Sequence, residues 1–199
     1  MELRLGFLAS HTGSNVEAIL NSIDTGVLTA QPKIIITNNP GAEVLAVAKK
    51  YGVASRCLNA NNHAPYPTVD EAILQILIAS EVNLVLLAGY MKRIGQNVIR
   101  HYSNAILNIH PALLPKYGGQ GMYGMNVHDA VIKSADTDSG ATVHLVDEHY
   151  DTGRILLQSK VPRHTDDTAA TLAKRVLETE HALYTEVLKR IQEDELLLN

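Results

Sequence analysis

The feature of this sequence that most constrains its fold is a series of short apolar runs separated by amphipathic stretches. The runs of strand length are Leu3 to Ala9, Lys33 to Thr37, Leu84 to Ala88, Ala105 to Ile109, Ala141 to Val146 and Ile155 to Val161. The run at 84–88 is apolar at every position, which is typical of a strand covered by helices on both faces. The pattern predicts an α/β fold with an open, mostly parallel twisted sheet and helices on both faces.

Length and composition narrow the class of protein. The chain has 199 residues, and we predict a single domain over residues 1–199. A net charge of -4 with no basic stripe argues against a nucleic-acid partner. Cys57 is the only cysteine, which excludes an internal disulfide and favours a reducing compartment. Because no signal peptide or run of about 18 apolar residues occurs, we expect a cytoplasmic protein without a membrane partner.

The clearest chemical signal is the segment 108–115, which contains Asn108, His110 and Pro111, together with Asp151 in an Asp-Thr-Gly sequence. Side chains two apart on a strand share a face, and Pro111 favours an extended His110, so Asn108 and His110 should converge. An amide and an imidazole can stabilise an oxyanion, and Asp151 could orient the imidazole and raise its pKa. The alternative is a polar strand end followed by an ordinary turn.

A second signal lies where the first strand passes into a helix predicted over Val16 to Thr25. Free backbone N–H groups at a helix N-terminus attract an anion, and Gly13 allows close backbone approach. Ser14 or Asn15 is expected to cap the helix, and a simple N-cap without a ligand is the alternative. The segment lacks the spacing of a P-loop or a dinucleotide fingerprint, which disfavours ATP and NAD.

The last predicted helix, Asp167 to Gln192, places a carboxylate on its apolar face. Glu180 lies in the middle of a stripe formed by Val176, Leu183, Val187 and Ile191. A buried unpaired charge is costly, so Glu180 should meet a cation or face a polar cavity. The alternative is that this part of the helix overhangs solvent.

The remaining histidines and glycines suggest supporting roles. His144 follows a strand into the same region, where it could support Asp151 or be an ordinary hydrogen-bonded core histidine. The histidines lack His-Glu-x-x-His spacing and cysteine pairs, so we predict no metal site. The glycine-rich residues 117–127 are typical of a flexible loop over a site, or equally of an ordinary connection.

These segments together resemble the phosphoribosylglycinamide formyltransferases, folate-dependent enzymes of purine synthesis. The resemblance covers almost the whole chain through residues 13–15, 88–91, 108–115, 139–144, 147–148, 151–153 and 180–181. The Asn-His-Asp set is shared with the wider formyltransferase superfamily, whereas the Gly-Ser-Asn loop and Glu180 favour this family. The fold implied is a Rossmann-like formyltransferase domain.

The resemblance implies direct formyl transfer from 10-formyltetrahydrofolate to glycinamide ribonucleotide, without a metal or a covalent intermediate, by a monomer or homodimer. The catalytic residues it implies are Asn108, His110 and Asp151. Those implied for the ribonucleotide are Gly13, Ser14, Asn15 and Glu180. Those implied for the folate are Met91, Lys92, Arg93, Ile94, Asn108, Val146, Asp147 and Asp151. Some members carry a folate-contacting arginine upstream of residue 88, and here residues 62–67 contain none.

Other functions share parts of this pattern. Methionyl-tRNA formyltransferase and formyltetrahydrofolate hydrolase have the same catalytic set, but each family carries a further domain. A catalytically silent nucleotide- or folate-binding module would keep the loop at Gly13 and the folate slot without a poised His110 and Asp151.

Overall fold

A computed structural model describes residues 2–198 and confirms the predicted α/β class. Seven strands form one sheet: β1 (Leu3–Leu8), β2 (Ala30–Thr37), β3 (Ser55–Cys57), β4 (Leu84–Leu87), β5 (Ile106–His110), β6 (Asp138–Leu145) and β7 (Ile155–Pro162). Six helices alternate with them: α1 (Ser14–Asp24), α2 (Val44–Lys50), α3 (Val69–Ala79), α4 (Gln96–His101), α5 (Met125–Lys133) and α6 (Ala169–Gln192). The single domain over residues 1–199 stays a prediction, and its two end residues lie outside the described part.

The sheet is open, with strand order β3-β2-β1-β4-β5-β6-β7. Strands β1 to β5 are parallel to one another, whereas β6 pairs antiparallel with both β5 and β7. The chain leaves β1 towards β2 on one side and returns to β4 on the other. Open α/β sheets bind ligands outside the carboxyl ends of their strands where the order reverses, which here is between β1 and β4.

The two faces of the sheet carry separate apolar clusters because successive strand side chains point in opposite directions. Leu3, Leu5 and Phe7 of β1 pack into the cluster that includes α1, α2 and α6, whereas Leu8 belongs to the cluster under α3 and α4. Helices therefore cover both faces, as predicted. A third, smaller cluster joins α5, β7 and α6 through Val131, Val161, Leu172 and Val176.

Several element boundaries differ from the prediction. Strand β3 was not predicted, because its three residues, Ser-Arg-Cys, are polar and partly exposed. Strand β2 begins at Ala30 rather than Lys33, and its register with β1 shifts beside Pro32, which has no N–H to donate. Helix α6 begins at Ala169, after a capping box in which the Thr168 and Thr171 hydroxyls accept each other's backbone N–H.

Candidate active site

One cavity of about 860 Å³ opens at the carboxyl ends of β1, β4 and β5. All of the predicted site residues line it: Gly13, Ser14, Asn15, Met91, Lys92, Arg93, Ile94, Asn108, His110, His144, Val146, Asp147, Asp151 and Glu180. The segments come from distant parts of the sequence, and the sheet topology brings them together. The cavity lies at the reversal point of the strand order, where the fold alone predicts a ligand.

Asn108 and His110 lie at the carboxyl end of β5, and both line the cavity, as the strand periodicity predicts. Across the antiparallel pair, Asn108 lies opposite His144 and His110 lies opposite Thr142. The Asn108 amide Nδ2 donates to His144 Nε2 at 3.0 Å. His144 in turn donates from Nδ1 to the Leu145 carbonyl at 2.8 Å, which leaves Nε2 as its acceptor nitrogen. His144 therefore orients the Asn108 amide.

The buried ring of His110 is held between a backbone carbonyl and a carboxylate. Its Nε2–H donates to the Tyr117 carbonyl oxygen at 2.7 Å. Its Nδ1 lies 3.7 Å from Asp151 Oδ2, close enough to share a water or a substrate nitrogen. The imidazole and the carboxylate thus meet at the cavity, as the sequence suggested.

The protonation of this pair differs in part from the sequence-based interpretation. Burial lowers the pKa of His110 below its usual value, and the carboxylate of Asp151 and the Tyr117 carbonyl only partly offset that effect. Asp151 thus raises the pKa of His110, as the sequence suggested, but desolvation is the larger effect and the pKa stays below its ordinary value. Without ligands, we expect a neutral imidazole at neutral pH.

Asp151 is ionised and firmly placed. Its Oδ2 accepts the Gly119 N–H at 2.8 Å, and its Oδ1 lies 3.5 Å from His144 Nε2. Burial raises the pKa of this carboxyl, but His144, His110 and the Gly119 amide together bring the pKa below its ordinary value. The site thus combines a carboxylate with two imidazoles and one amide, which suits proton transfer beside a developing oxyanion.

The loop between β1 and α1 presents backbone amides to the cavity. Gly13 is the N-cap residue, in the left-handed conformation with φ 73°, and no side chain caps the helix. The expected cap by Ser14 or Asn15 is wrong, because α1 begins at Ser14 and both residues lie within its first turn. A Cβ on Gly13 would lie 2.3 Å from Val44 Cγ2, so the close packing of α2 requires glycine. Uncapped N–H groups beside a cavity suit an anion.

Glu180 is buried at the wall of the cavity, and the predicted apolar stripe around it on α6 is confirmed. Its Oε2 accepts a hydrogen bond from Asn15 Nδ2 at 3.0 Å, which connects α6 to the loop at Gly13. Burial raises the pKa of this carboxyl to about 7, against the smaller opposing effect of Asn15. No cation pairs with Glu180 among the described residues, so its charged form is costly unless a ligand in the cavity provides further polar contacts.

The segment that follows β4 forms another part of the wall. Gly89 turns the chain with φ 77°. The Met91 N–H then donates to Ser10 Oγ at 2.8 Å, which fixes this segment to the end of β1. Arg93 donates to the Glu148 carbonyl at 2.9 Å and lies over the Tyr150 ring, so it joins the two walls of the slot.

The opposite wall, residues 146–151, is a folded turn. The Asp147 carboxylate accepts from the His149 N–H at 2.8 Å and from the Thr152 hydroxyl at 2.9 Å. Its side chain thus supports the turn that presents Asp151.

Some functional groups were not found from the sequence. The Tyr117 carbonyl and the Gly119 N–H are backbone groups, which leave no residue-type signal. Ser10 was not among the predicted site residues, yet its hydroxyl donates to Asn38 Oδ1 and accepts from the Met91 N–H. Residues 119–125 line the cavity, and their movement as a lid stays a prediction.

Residues 2–198 contain neither a metal-binding cluster of side chains nor a membrane-spanning helix. No cluster of three or more histidine, cysteine, aspartate or glutamate side chains in that range is placed to bind a metal ion. None of the helices there has the length and hydropathy needed to cross a bilayer.

Comparison with known proteins identifies the class to which this fold and site belong. A family model described as formyl transferase matches residues 3–188, so the chain belongs to the formyl transferase family. The chain is 33% identical over 98% of its length to phosphoribosylglycinamide formyltransferase of Haemophilus influenzae, of which it covers 90%. It is thus a member of the phosphoribosylglycinamide formyltransferase branch.

Two other relatives agree. A chloroplastic phosphoribosylglycinamide formyltransferase of Vigna unguiculata is 41% identical over 98% of this chain, which spans 62% of that protein. The chain therefore spans less than two thirds of that relative. The crystal structure of glycinamide ribonucleotide transformylase 1 from Symbiobacterium toebii superimposes with a TM-score of 0.91 at 31% identity, covering 100% of this chain and 91% of the other.

Proposed function

We propose that this chain transfers a formyl group from 10-formyltetrahydrofolate to the amine of 5'-phosphoribosylglycinamide, giving formylglycinamide ribonucleotide for purine synthesis. One observation carries the proposal: a loop at an uncapped helix N-terminus, a buried carboxylate and the Asn108, His110 and Asp151 constellation share one cavity. The names of the relatives support the choice of substrates. The proposed co-substrate is the folate, and no metal takes part.

The ribonucleotide occupies the part of the cavity next to β1 in this proposal. Its phosphate binds the first-turn N–H groups of α1 at Gly13, Ser14 and Asn15, aided by the helix dipole. Glu180, held by a hydrogen bond from Asn15, accepts from ribose hydroxyls. The buried Oδ1 of Asn15 has no hydrogen-bond partner among the described residues and can accept from the ligand as well. The glycinamide amine then points towards β5.

The folate occupies the slot between residues 91–94 and 146–151. Met91 and Ile94 provide apolar contact, and exposed backbone groups of the slot can pair with the edge of a pterin ring. Lys92 and Arg93 flank the slot and provide positive charge near the folate's carboxylates, with Val146 and Asp147 on the other side. The formyl group then lies near Asn108.

The chemical step needs no covalent enzyme intermediate. The neutral amine attacks the formyl carbon, the new C–N bond forms, and the carbonyl electron pair moves to oxygen, where the free N–H of Asn108 stabilises it. His110 is neutral and has its lone pair on Nδ1, so it takes the proton released by the amine. Asp151 stabilises the resulting imidazolium, which then protonates the folate nitrogen as the bond from that nitrogen to carbon breaks.

One assay tests the proposal against its rivals. Purified protein is incubated with 10-formyltetrahydrofolate, with and without glycinamide ribonucleotide, and both tetrahydrofolate and formylated product are measured. A transferase releases tetrahydrofolate only with the ribonucleotide and in equal amount to the formylated product. Formate release without the ribonucleotide would instead indicate a hydrolase. Binding of either ligand without turnover would indicate a silent binding module.

A further inference from the structure

A hydrogen-bonded anchor lies outside the cavity, behind the catalytic histidine. The Asp136 carboxylate, in the connection between α5 and β6, accepts from the Tyr117 hydroxyl at 2.7 Å. The same carboxylate accepts from Lys116 Nζ at 2.8 Å and 3.0 Å. Two consecutive residues are therefore tied to one acid, and these bonds hold the pKa of Asp136 below its usual value.

The anchored segment contacts both members of the catalytic pair through its backbone. The Tyr117 carbonyl accepts from His110 Nε2, and the Gly119 N–H donates to Asp151 Oδ2. Residues 116–119 thus connect Asp136 on the outside to His110 and Asp151 on the inside. On the side of the loop, both connections use backbone groups only.

The backbone of Tyr117 needs such an anchor. Its φ is 56°, in the left-handed region that a bulky residue rarely adopts. A conformation of this kind persists only where surrounding contacts hold it. Here the contacts are the hydroxyl bond to Asp136, the Lys116 bond to the same acid, and the packing of the Tyr117 ring on the cluster at Val131 and Val161. Without the first two, the residue is free to relax and its carbonyl turns away from His110.

We infer that Asp136 and the Tyr117 hydroxyl are positioning groups for the reaction, which fix the Tyr117 carbonyl against His110 Nε2 and so keep the reactive lone pair on Nδ1. A neutral imidazole carries one proton, and whichever nitrogen faces a fixed acceptor retains it. The Tyr117 carbonyl cannot donate, so Nε2 keeps the proton and Nδ1, on the Asp151 side, is left to accept. The inference rests on the proposed function, because it assigns the atom of His110 that takes the amine proton.

The test compares Tyr117→Phe and Asp136→Ala with Asp138→Ala as the matched control. Tyr117→Phe keeps the ring and loses only the hydroxyl, and Asp136→Ala removes both oxygens that accept from Tyr117 and Lys116. Asp138 lies two residues from Asp136, and its only side-chain hydrogen bond within the described residues comes from the Thr137 hydroxyl. Its substitution therefore removes a similar charge without touching the anchor.

The first readout is the tautomer of His110, from ring ¹⁵N chemical shifts in the free protein at a pH where the ring is neutral. The other titratable groups around this ring are Asp151, His144 and His128, and all three are unchanged in the variants. We expect the Nε2–H form to dominate in the wild type and in Asp138→Ala, and to give way to a mixture in the two anchor variants. Thermal unfolding checks that each variant is folded.

The second readout separates positioning from binding. We expect kcat to fall about tenfold in Tyr117→Phe and Asp136→Ala, which corresponds to about 1.4 kcal/mol in the barrier. The KM values for both substrates should stay within about twofold, because the loss of a substrate-binding contact would raise KM by more than that. An unchanged tautomer in folded anchor variants, or an equal loss of kcat in Asp138→Ala, would overturn the inference. The His110 tautomer can be measured without turnover. An inactive wild type would therefore refute the proposed function, while the tautomer measurement would still test the anchor.

Discussion

The Asn108 amide and the His144 ring form a hydrogen bond of 3.0 Å across two antiparallel strands at the wall of the cavity. The bond occupies one of the two amide hydrogens and fixes the plane of the amide. His144 can accept it because its other nitrogen donates to the Leu145 carbonyl. The second amide hydrogen is left to the cavity, so the donor proposed for the oxyanion is preorganised before any substrate binds.

Removing that donor should slow the chemical step. For Asn108→Ala we expect kcat to fall on the order of 10²- to 10³-fold, the usual effect of deleting one oxyanion donor. Initial rates of product formation at saturating substrates measure it. His110→Ala should cause a loss of similar size. Asn21→Ala, on the exposed side of α1, should keep full activity. Near-normal turnover in both site variants would contradict the assignment.

Neutralising Asp151 should change the titration of His110. In Asp151→Asn the Gly119 N–H keeps an acceptor, so the loop retains its bond, but the negative charge is lost. Because that charge raises the pKa of His110 against the larger effect of burial, the pKa should fall further below its usual value. An NMR titration of the His110 ring measures the shift. We also expect a lower kcat, since a weaker base accepts the amine proton less readily. An unchanged or raised pKa would contradict the geometry.

Glu180 should make the stability of the protein depend on pH. The folded-state pKa is about 7, above the ordinary value of 4.5, so the folded protein holds this proton more tightly than the unfolded chain. Stability from this group is fully present below pH 4.5 and is lost as the pH rises through 7. The loss should approach about 3 kcal/mol, from the size of the shift.

Glu180→Gln tests this, because glutamine keeps the acceptor for Asn15 and cannot ionise. Denaturant unfolding at pH 5 and pH 8 should show the variant gaining stability relative to the wild type at the higher pH. Glu178→Gln, on the exposed side of the same helix, should show no such gain. A parallel pH dependence of wild type and Glu180→Gln would show that the buried carboxyl ionises without penalty.

The sequence predicted most of the sheet and the site, for reasons visible in particular residues. Strands such as β4 are apolar at every position, and Asn108 and His110 share a face by strand periodicity. Strand β3 was missed because an edge strand of three polar residues carries no periodic signal. The burial of Glu180 followed from its place among apolar neighbours on α6.

The features that the sequence could not predict depend on the placement of backbone groups and on desolvation. The carbonyl of Tyr117 and the amide of Gly119 are present in any residue, so only the fold shows that they hold His110 and Asp151. The lowered pKa of His110 results from burial by residues distant in the chain, which outweighs the neighbouring charge that the sequence did suggest. The predicted side-chain cap of α1 was wrong because Gly13 is the N-cap residue, in a left-handed conformation that no sequence pattern distinguished from a turn.

The loop at Gly13 provides a test of the ribonucleotide end of the cavity with a closely matched control. Gly13 and Gly26 have φ of 73° and 75°, so alanine at either position costs about 1 to 2 kcal/mol of backbone strain. Only at Gly13 would the new Cβ meet another side chain, that of Val44, whereas the space around Gly26 is open. For Gly13→Ala we therefore expect lower thermal stability than for Gly26→Ala, and a KM for glycinamide ribonucleotide raised about tenfold or more as the first-turn amides are displaced. The KM for 10-formyltetrahydrofolate should hardly change in either variant. Steady-state kinetics with each substrate varied in turn measure the two KM values. An equal KM for the ribonucleotide in the two variants would show that the phosphate does not bind at this loop.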